Sequence, residues 1–268
     1  MPTPTITLTS LTIYPVKSCR GMPLTEAVLG PRGIEYDRLW MIVQPDGTFI
    51  TQRQAPHLAL IAPSLQDGHL ALAAPSMPSI AVPIAGDGPA IDVVVWRDRC
   101  AAIDQGAEIA AWLTAFLHTP CRLVRMADDW VRPVDPAYSR PGDQVGFADG
   151  YPLLLTSEAS LADLNARLPE PVPMNRFRPN LVVRGAGPFA EDAWQVIRVG
   201  EVPLRVAKPC ARCVTTTVVQ ETGVRASQEP LATLAGYRQR NGGALFGQNL
   251  IHDAPGTLRV GDQVEVLA

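Results

Sequence analysis

Apolar residues recur at every second position in short runs, and turn signals separate one run from the next. That period places side chains on alternate faces of an extended chain, so most of this chain reads as short strands. Ile6 and Leu8 alternate with threonine, and Leu11 and Ile13 alternate again, as in a half-buried strand pair. Leu39 to Val43 is a further strand, after which Pro45-Asp46-Gly47 turns the chain into Phe49-Ile50. Asp67-Gly68 between Leu65 and Leu70 is a hairpin signal. Ile91, Val93 and Val95 alternate, as does Val196 to Leu204 around Gly200-Glu201. Leu258, Val260, Val264 and Val266 flank Gly261-Asp262.

Three helices interrupt this pattern. Ile109, Trp112, Leu113, Phe116 and Leu117 form one apolar stripe. Thr156 or Ser157 can cap a second helix, with Leu161, Leu164 and Leu168 on one face and Pro169 as the stop. A third starts near Ser227 with Pro230 in its first turn and buries Leu231 and Leu234. Many strands with few helices predict an α+β, mostly β architecture, rich in barrels. Ala127 to Asp149 carries prolines, charges and glycines without periodicity, and marks a lobe boundary or a long functional loop. No G-x-G-x-x-G or P-loop run suggests a nucleotide fold.

Composition excludes several classes. With 268 residues and 47% hydrophobic content the chain can bury one large core or two modest ones. A net charge of −3 gives no global pull toward nucleic acid or anionic lipid. The apolar stretches are far shorter than the roughly 18 residues of a membrane span. Met1 to Thr5 has neither a basic nor an apolar signal region, so the cytoplasm is the expected location. The five cysteines, Cys19, Cys100, Cys121, Cys210 and Cys213, do not read as a disulfide framework in a chain this long.

Lys208-Pro209-Cys210-Ala211-Arg212-Cys213 is the sharpest local signal. A C-x-x-C pair can be half of a zinc site, but the remaining Cys and His residues form no second close pair. It can be a redox pair, but Val214 to Val219 is β-branched and reads as a strand where a helix is needed. It can also be one metal-ligating thiolate with a structural companion, and Arg212 beside Cys213 favours the thiolate. Basic residues also stand beside strand ends: Lys17-Ser18-Cys19-Arg20-Gly21, Asp37-Arg38, and Arg178-Pro179-Asn180. Lysine, arginine, serine and free backbone N–H groups are the usual means of holding phosphate.

Eight blocks appear together in one order: Tyr14 to Gly21, Asp37 to Trp40, Leu155 to Asn165, Phe177 to Asn180, Phe189 to Trp194, Cys210 to Cys213, Leu245 to Asn249, and Gly256 to Val264. In these blocks the chain resembles the MOSC-domain family with its N-terminal β-barrel companion, in the group of the mitochondrial amidoxime-reducing component and its bacterial relatives. The resemblance implies a barrel-rich MOSC domain over 126–268, packed against an N-terminal β-barrel lobe over 1–125. Segments near 14–21 and 37–40 of that lobe are expected to contact the cofactor. It implies a molybdenum–molybdopterin cofactor with Cys213 as metal ligand and catalytic residue, and Cys210 in support. Lys17, Ser18 and Arg38 match positions that hold pterin or phosphate, and Arg178 and Asn180 match residues near the pterin. Ala211 and Arg212 match the segment before the ligand, and Asp149 and Gly150 fall in a loop that approaches the cofactor. Gly150 and Tyr151 replace hydroxyl residues of the family, and Asn249, also expected at the cofactor, replaces an aromatic of the animal members.

The implied activity is reduction of N-hydroxylated compounds such as amidoximes, hydroxylamines and N-hydroxylated bases. The animal members' membrane anchor and the ferredoxin domain of some bacterial members have no counterpart in this sequence. Electrons are therefore expected from a separate ferredoxin, haem or flavin protein, with no nucleic-acid or membrane partner. A cofactor or sulfur carrier without its own cycle is the competing reading, and a binding module that has lost its metal is a third. Asp192 and Trp194 read as a capping carboxylate and a buried indole. His118 and His252 read as surface or packed residues.

Overall fold

The computed structural model describes residues 5–225, 227–240 and 242–268, so Met1 to Pro4, part of the segment examined for a signal, lie outside it. Its frame is a closed ring of strands. In chain order the elements used below are β1 (Ile6–Ile13), β2 (Trp40–Val43), β3 (Ala90–Val95), β4 (Asp98–Asp104), α1 (Ala107–Leu117), β5 (Arg122–Met126), β6 (Leu153–Ser157), α2 (Glu158–Asn165), β7 (Leu181–Arg184), β8 (Val196–Val199), β9 (Val202–Arg212), α3 (Leu231–Tyr237), β10 (Gly243–His252) and β11 (Gln263–Val266). The ring runs β6-β7-β1-β11-β8-β9-β10, and β10 returns to pair with β6. All pairings in it are antiparallel except β6 with β7. Closure removes free edges. Alternate residues of the strands, among them Leu8, Leu11, Leu155, Leu181, Ile197, Leu204 and Leu250, fill the interior.

β1 is one strand rather than the expected pair. Its register with β7 shifts between Leu8 and Ser10, and this bulge resets the alternation so that Leu8, Leu11 and Ile13 all face inward. It inserts between β7 and β11 of the C-terminal half.

The N-terminal lobe is built on the antiparallel sheet β2-β5-β4-β3. Both faces are covered. Trp40, Ile42 and Leu123 pack with α1 on one side; Met41, Val43, Val124 and Met126 pack with Phe147 on the other. This accounts for the apolar run of β2, in which all four residues are buried. A three-stranded sheet, Ala62–Gln66, His69–Ala73 and Ile80–Pro83, completes the lobe, with Asp67 and Gly68 at positive φ in the first turn. The expected division after residue 125 falls inside β5.

α1 contains its whole expected stripe, but the other two helices are shorter than expected. α2 is capped by Ser157, whose side-chain oxygen accepts from the Ala159 amide, but it ends before Leu168. α3 begins after Pro230 rather than near Ser227. Val214–Thr217 is a 3-10 turn, contrary to the expected strand. The hydroxyls of Thr216 and Thr217 donate to the carbonyls of Cys213 and Val214, a local bonding pattern that competes with strand pairing. The strands before and after Gly261-Asp262 part company: Gly256–Arg259 pairs with Glu26–Gly30, while β11 joins the ring.

Candidate functional site

The segment after β1 is tied to β2 before any side chain reaches the site. The Lys17 amide donates to the Trp40 carbonyl at 2.8 Å, and the Trp40 amide donates to the Pro15 carbonyl at 3.0 Å. This buries Lys17 in a fixed place. Its ammonium donates to the Phe147 carbonyl at 2.7 Å and to Asp149 Oδ1 at 2.5 Å. Burial lowers the Lys17 pKa, and Asp149 opposes the shift. Desolvation works against the Asp149 carboxylate, but the Lys17 ammonium outweighs it and holds the acid well below the usual range. An ammonium has three N–H donors, so one remains for a ligand.

Arg38 and Arg178 converge on Tyr14. Their guanidinium carbons lie 4.3 and 4.2 Å from its ring centroid. Arg38 donates to Asp37 at 2.5 Å and to Asn180 Oδ1 at 3.0 Å. Asn180 also accepts from the Leu154 amide and donates to the Thr12 carbonyl, so its side chain holds strands and Arg38 together. Arg178 donates to the Cys19 carbonyl at 2.6 Å, and burial lowers its pKa to about 10. Ser18, Arg38 and Arg178 all have positive φ, at 68°, 48° and 54°. Non-glycine residues adopt this region at a cost, and such positions concentrate at functional sites.

The thiol pair arrives at the end of β9. Its ladder with β10 shifts register twice, between Val206 and Lys208 and between Pro209 and Ala211. These bulges re-aim the strand end. Arg212 then donates to the Phe246 and Phe177 carbonyls at 2.8 and 3.0 Å. Cys213 leads into the 3-10 turn, and its sulfur lies 3.2 Å from Arg53 Nη2 and 3.4 Å from Thr215 Oγ1. Burial pushes the thiols of Cys19, Cys100, Cys121 and Cys210 up. Burial also acts on Cys213, but the Thr215 hydroxyl and amide and the Arg53 guanidinium outweigh it, so this thiol alone is lowered.

One cleft gathers these groups. Lys17, Ser18, Arg38, Asp149, Gly150, Arg178, Asn180, Ala211, Arg212, Cys213 and Asn249 all line it, with Cys210 and Tyr151. Asn249 Nδ2 donates to the Lys208 carbonyl at 3.3 Å. The Ala127 to Asp149 stretch reaches the cleft because buried Arg132 grips the Gly146 and Ala148 carbonyls at 2.8 and 2.6 Å. Phe177, from the Phe177 to Asn180 block, also lines the cleft, as do Thr51, Arg53, Arg176, Thr215 and Thr216, which were missed in the sequence. Arg53 follows the Phe49-Ile50 segment closely, the same setting that marked Lys17 and Arg178. Asp192 and Trp194 lie elsewhere. Asp192 pairs with Arg238 at 2.5 Å instead of capping a helix, while Trp194 is packed in the ring's core.

The donor set defines what the cleft can hold. Among the described residues, Arg178 Nη2 and Arg212 Nη2 are buried without a hydrogen-bond partner. An orphaned buried N–H of a charged group is costly, and an anionic ligand would satisfy both. A thiolate beside such cations suits a soft metal carried on an anionic ligand.

Comparison with known proteins agrees in both halves. Residues 5–120 match the MOSC N-terminal beta barrel domain, and residues 142–265 match the MOSC domain. Human mitochondrial amidoxime-reducing component 1 is 38% identical over 97% of this chain and 83% of its own length. The mouse protein of the same name is 38% identical over 97% and 82%, and rat mitochondrial amidoxime reducing component 2 is 37% identical over 96% and 82%.

Proposed function

The chain belongs to the MOSC-domain family of the mitochondrial amidoxime-reducing components, and on that premise we propose that it is a molybdenum-dependent reductase of N-hydroxylated compounds. One observation carries the reading: a thiol with lowered pKa shares a cleft with two buried guanidinium N–H groups that lack acceptors. The residues present therefore fit a molybdenum–pterin cofactor.

When bound, the cofactor supplies the two-electron redox chemistry that converts an N–OH compound into its N–H product and water. Cys213 is the protein's ligand to the metal. Arg178 and Arg212 offer their unpaired N–H groups to the pterin or its phosphate, joined by Ser18 and the remaining donor of Lys17. Arg38 is braced by Asp37 and Asn180, so it presents positive charge without reorganising. Asp149, kept ionised by Lys17, is the acceptor at the cleft that can orient an N–H or O–H group of substrate. Electrons come from a separate ferredoxin, haem or flavin protein, in the cytoplasm.

The test is purification from a host that makes molybdopterin. Molybdenum per chain is measured, together with reduction of an amidoxime by an artificial donor. Wild-type protein is expected to carry the metal and to turn over. Cys213→Ser is expected to lose at least about a hundredfold in turnover, at the far end of what an outer-shell change costs. Near-normal turnover in that variant would reject the ligand assignment. Metal without turnover in the wild type would favour a cofactor carrier.

A further inference from the structure

A cation from the opposite lobe rests on the Cys213 sulfur. Arg53 Nη2 donates to it at 3.2 Å, across 160 residues of sequence. Two further contacts hold Arg53, and neither involves the thiol pair. Its guanidinium carbon lies 4.5 Å from the centroid of the Trp96 ring, and Nη2 is 4.0 Å from Asp149 Oδ2. Trp96 is braced in turn. Its indole N–H donates to Asp149 Oδ1 at 3.3 Å, its ring meets Phe49 edge-on at 5.1 Å, and its backbone sits at φ 57°. A large side chain at positive φ is uncommon, and here it sets the indole beneath the guanidinium.

We propose that Arg53 is a positioning residue that keeps an N–H···S hydrogen bond on the Cys213 ligand and thereby sets the redox poise of the bound metal. The inference rests on the molybdenum reading above. A thiolate keeps lone pairs after forming one metal bond, so the arginine can remain its donor. Hydrogen bonds and positive charge at a ligating sulfur withdraw electron density and stabilise the reduced centre. The Arg53 side chain is 28% exposed, so solvent only partly screens this effect. Its hold on Trp96 and Asp149 means that the donor is in place before the metal arrives, and the ordering cost is already met by the fold.

The experiment compares wild type, Arg53→Lys, Arg53→Gln and Trp96→Leu, each purified from a molybdopterin-producing host. Molybdenum content is measured first, then the midpoint potential and Mo(V) spectrum by EPR-monitored redox titration, then turnover. At equal molybdenum content Arg53→Gln is expected to shift the potential downward and alter the Mo(V) signal. Turnover is expected to fall about ten- to a hundredfold, as for other outer-shell partners. Arg53→Lys keeps a cationic donor and is expected to recover most of the shift. Trp96→Leu leaves the donor but removes its support, and is expected to fall between. A potential and spectrum unchanged in Arg53→Gln, with wild type loaded and active, would overturn this inference and leave the functional reading standing. A wild type that takes up no molybdenum overturns both.

Discussion

Tyr14 supports the two arginines that the cleft borrows from distant segments, and its own hydroxyl donates to the Pro179 carbonyl at 3.2 Å. Burial pushes its phenol up to about 12, so it stays neutral as a platform and donor. Tyr14→Phe removes one hydrogen bond and is expected to cost about 1 kcal/mol in denaturant unfolding, with cofactor retained. Tyr14→Leu also removes two cation–π contacts worth roughly 0.5 to 2 kcal/mol each, and is expected to lower molybdenum retained after gel filtration. Equal retention in the two variants would show that the ring is not the support. Glu191 makes a different residue-level case. It is fully buried; Ser160 Oγ donates to Oε1 at 2.6 Å, and Oε2 has no partner among the described residues. Burial raises its pKa from 4.5. Folded protein thus binds this proton more tightly than unfolded chain. The stability is fully present below pH 4.5 and is lost as pH rises through the folded pKa. Glu191→Gln imitates the neutral form, so it is expected to melt higher than wild type at neutral pH, with the gap closing in acid. His252, whose pKa burial lowers from 6.5, acts with the opposite sign in both proteins and cancels in the comparison. A gap that stays constant from acid to neutral pH would rule out the shifted carboxyl.

At the scale of elements, the strand pair β9 and β10 makes the site, and a glycine makes the pair possible. Gly247 has φ 78°, and a Cβ there would meet the Leu155 carbonyl oxygen at 2.5 Å and Arg212 Nη2 at 3.4 Å. Gly247→Ala is expected to destabilise the fold by about 2 kcal/mol or more, from left-handed backbone strain and the clash with β6. Denaturant midpoints check this, and a variant as stable as wild type would mean that β6 yields freely. The 3-10 turn after Cys213 is an element whose type sequence patterning misread. Val214 to Thr217 has strand propensity, but the hydroxyls of Thr216 and Thr217 capture the nearby carbonyls first. Propensity reports which side chains suit a pleated surface. It does not report a neighbouring carbonyl that becomes reachable only once β9 has ended.

Across the whole molecule the two lobes are stitched together by β1, which lies between β7 and β11 although it begins the chain. A fragment starting at residue 126 lacks that strand, so β7 and β11 gain open edges and the ring loses Leu8, Leu11 and Ile13 from its interior. Such a fragment is expected to be aggregation-prone and to bind a hydrophobic dye, whereas a monomeric fragment with sharp thermal unfolding would argue that the ring closes without β1. Short alternating runs, Asp-Gly turns and one amphipathic helix stripe were enough to read a mostly β chain, because those patterns are local and repeat at the period of the element itself. Five of the eight ordered blocks likewise hold residues that now line a single cleft, while Leu155 to Asn165, Phe189 to Trp194 and Gly256 to Val264 lie outside it. The contact of Arg53 with the Cys213 sulfur was not legible, nor were the bulge in β1 or the orphaned N–H groups of Arg178 and Arg212. Each depends on which distant segment comes to lie beside which. Pairing, closure and the distance from a guanidinium to a sulfur 160 residues away are decided only when the ring shuts and one lobe packs against the other.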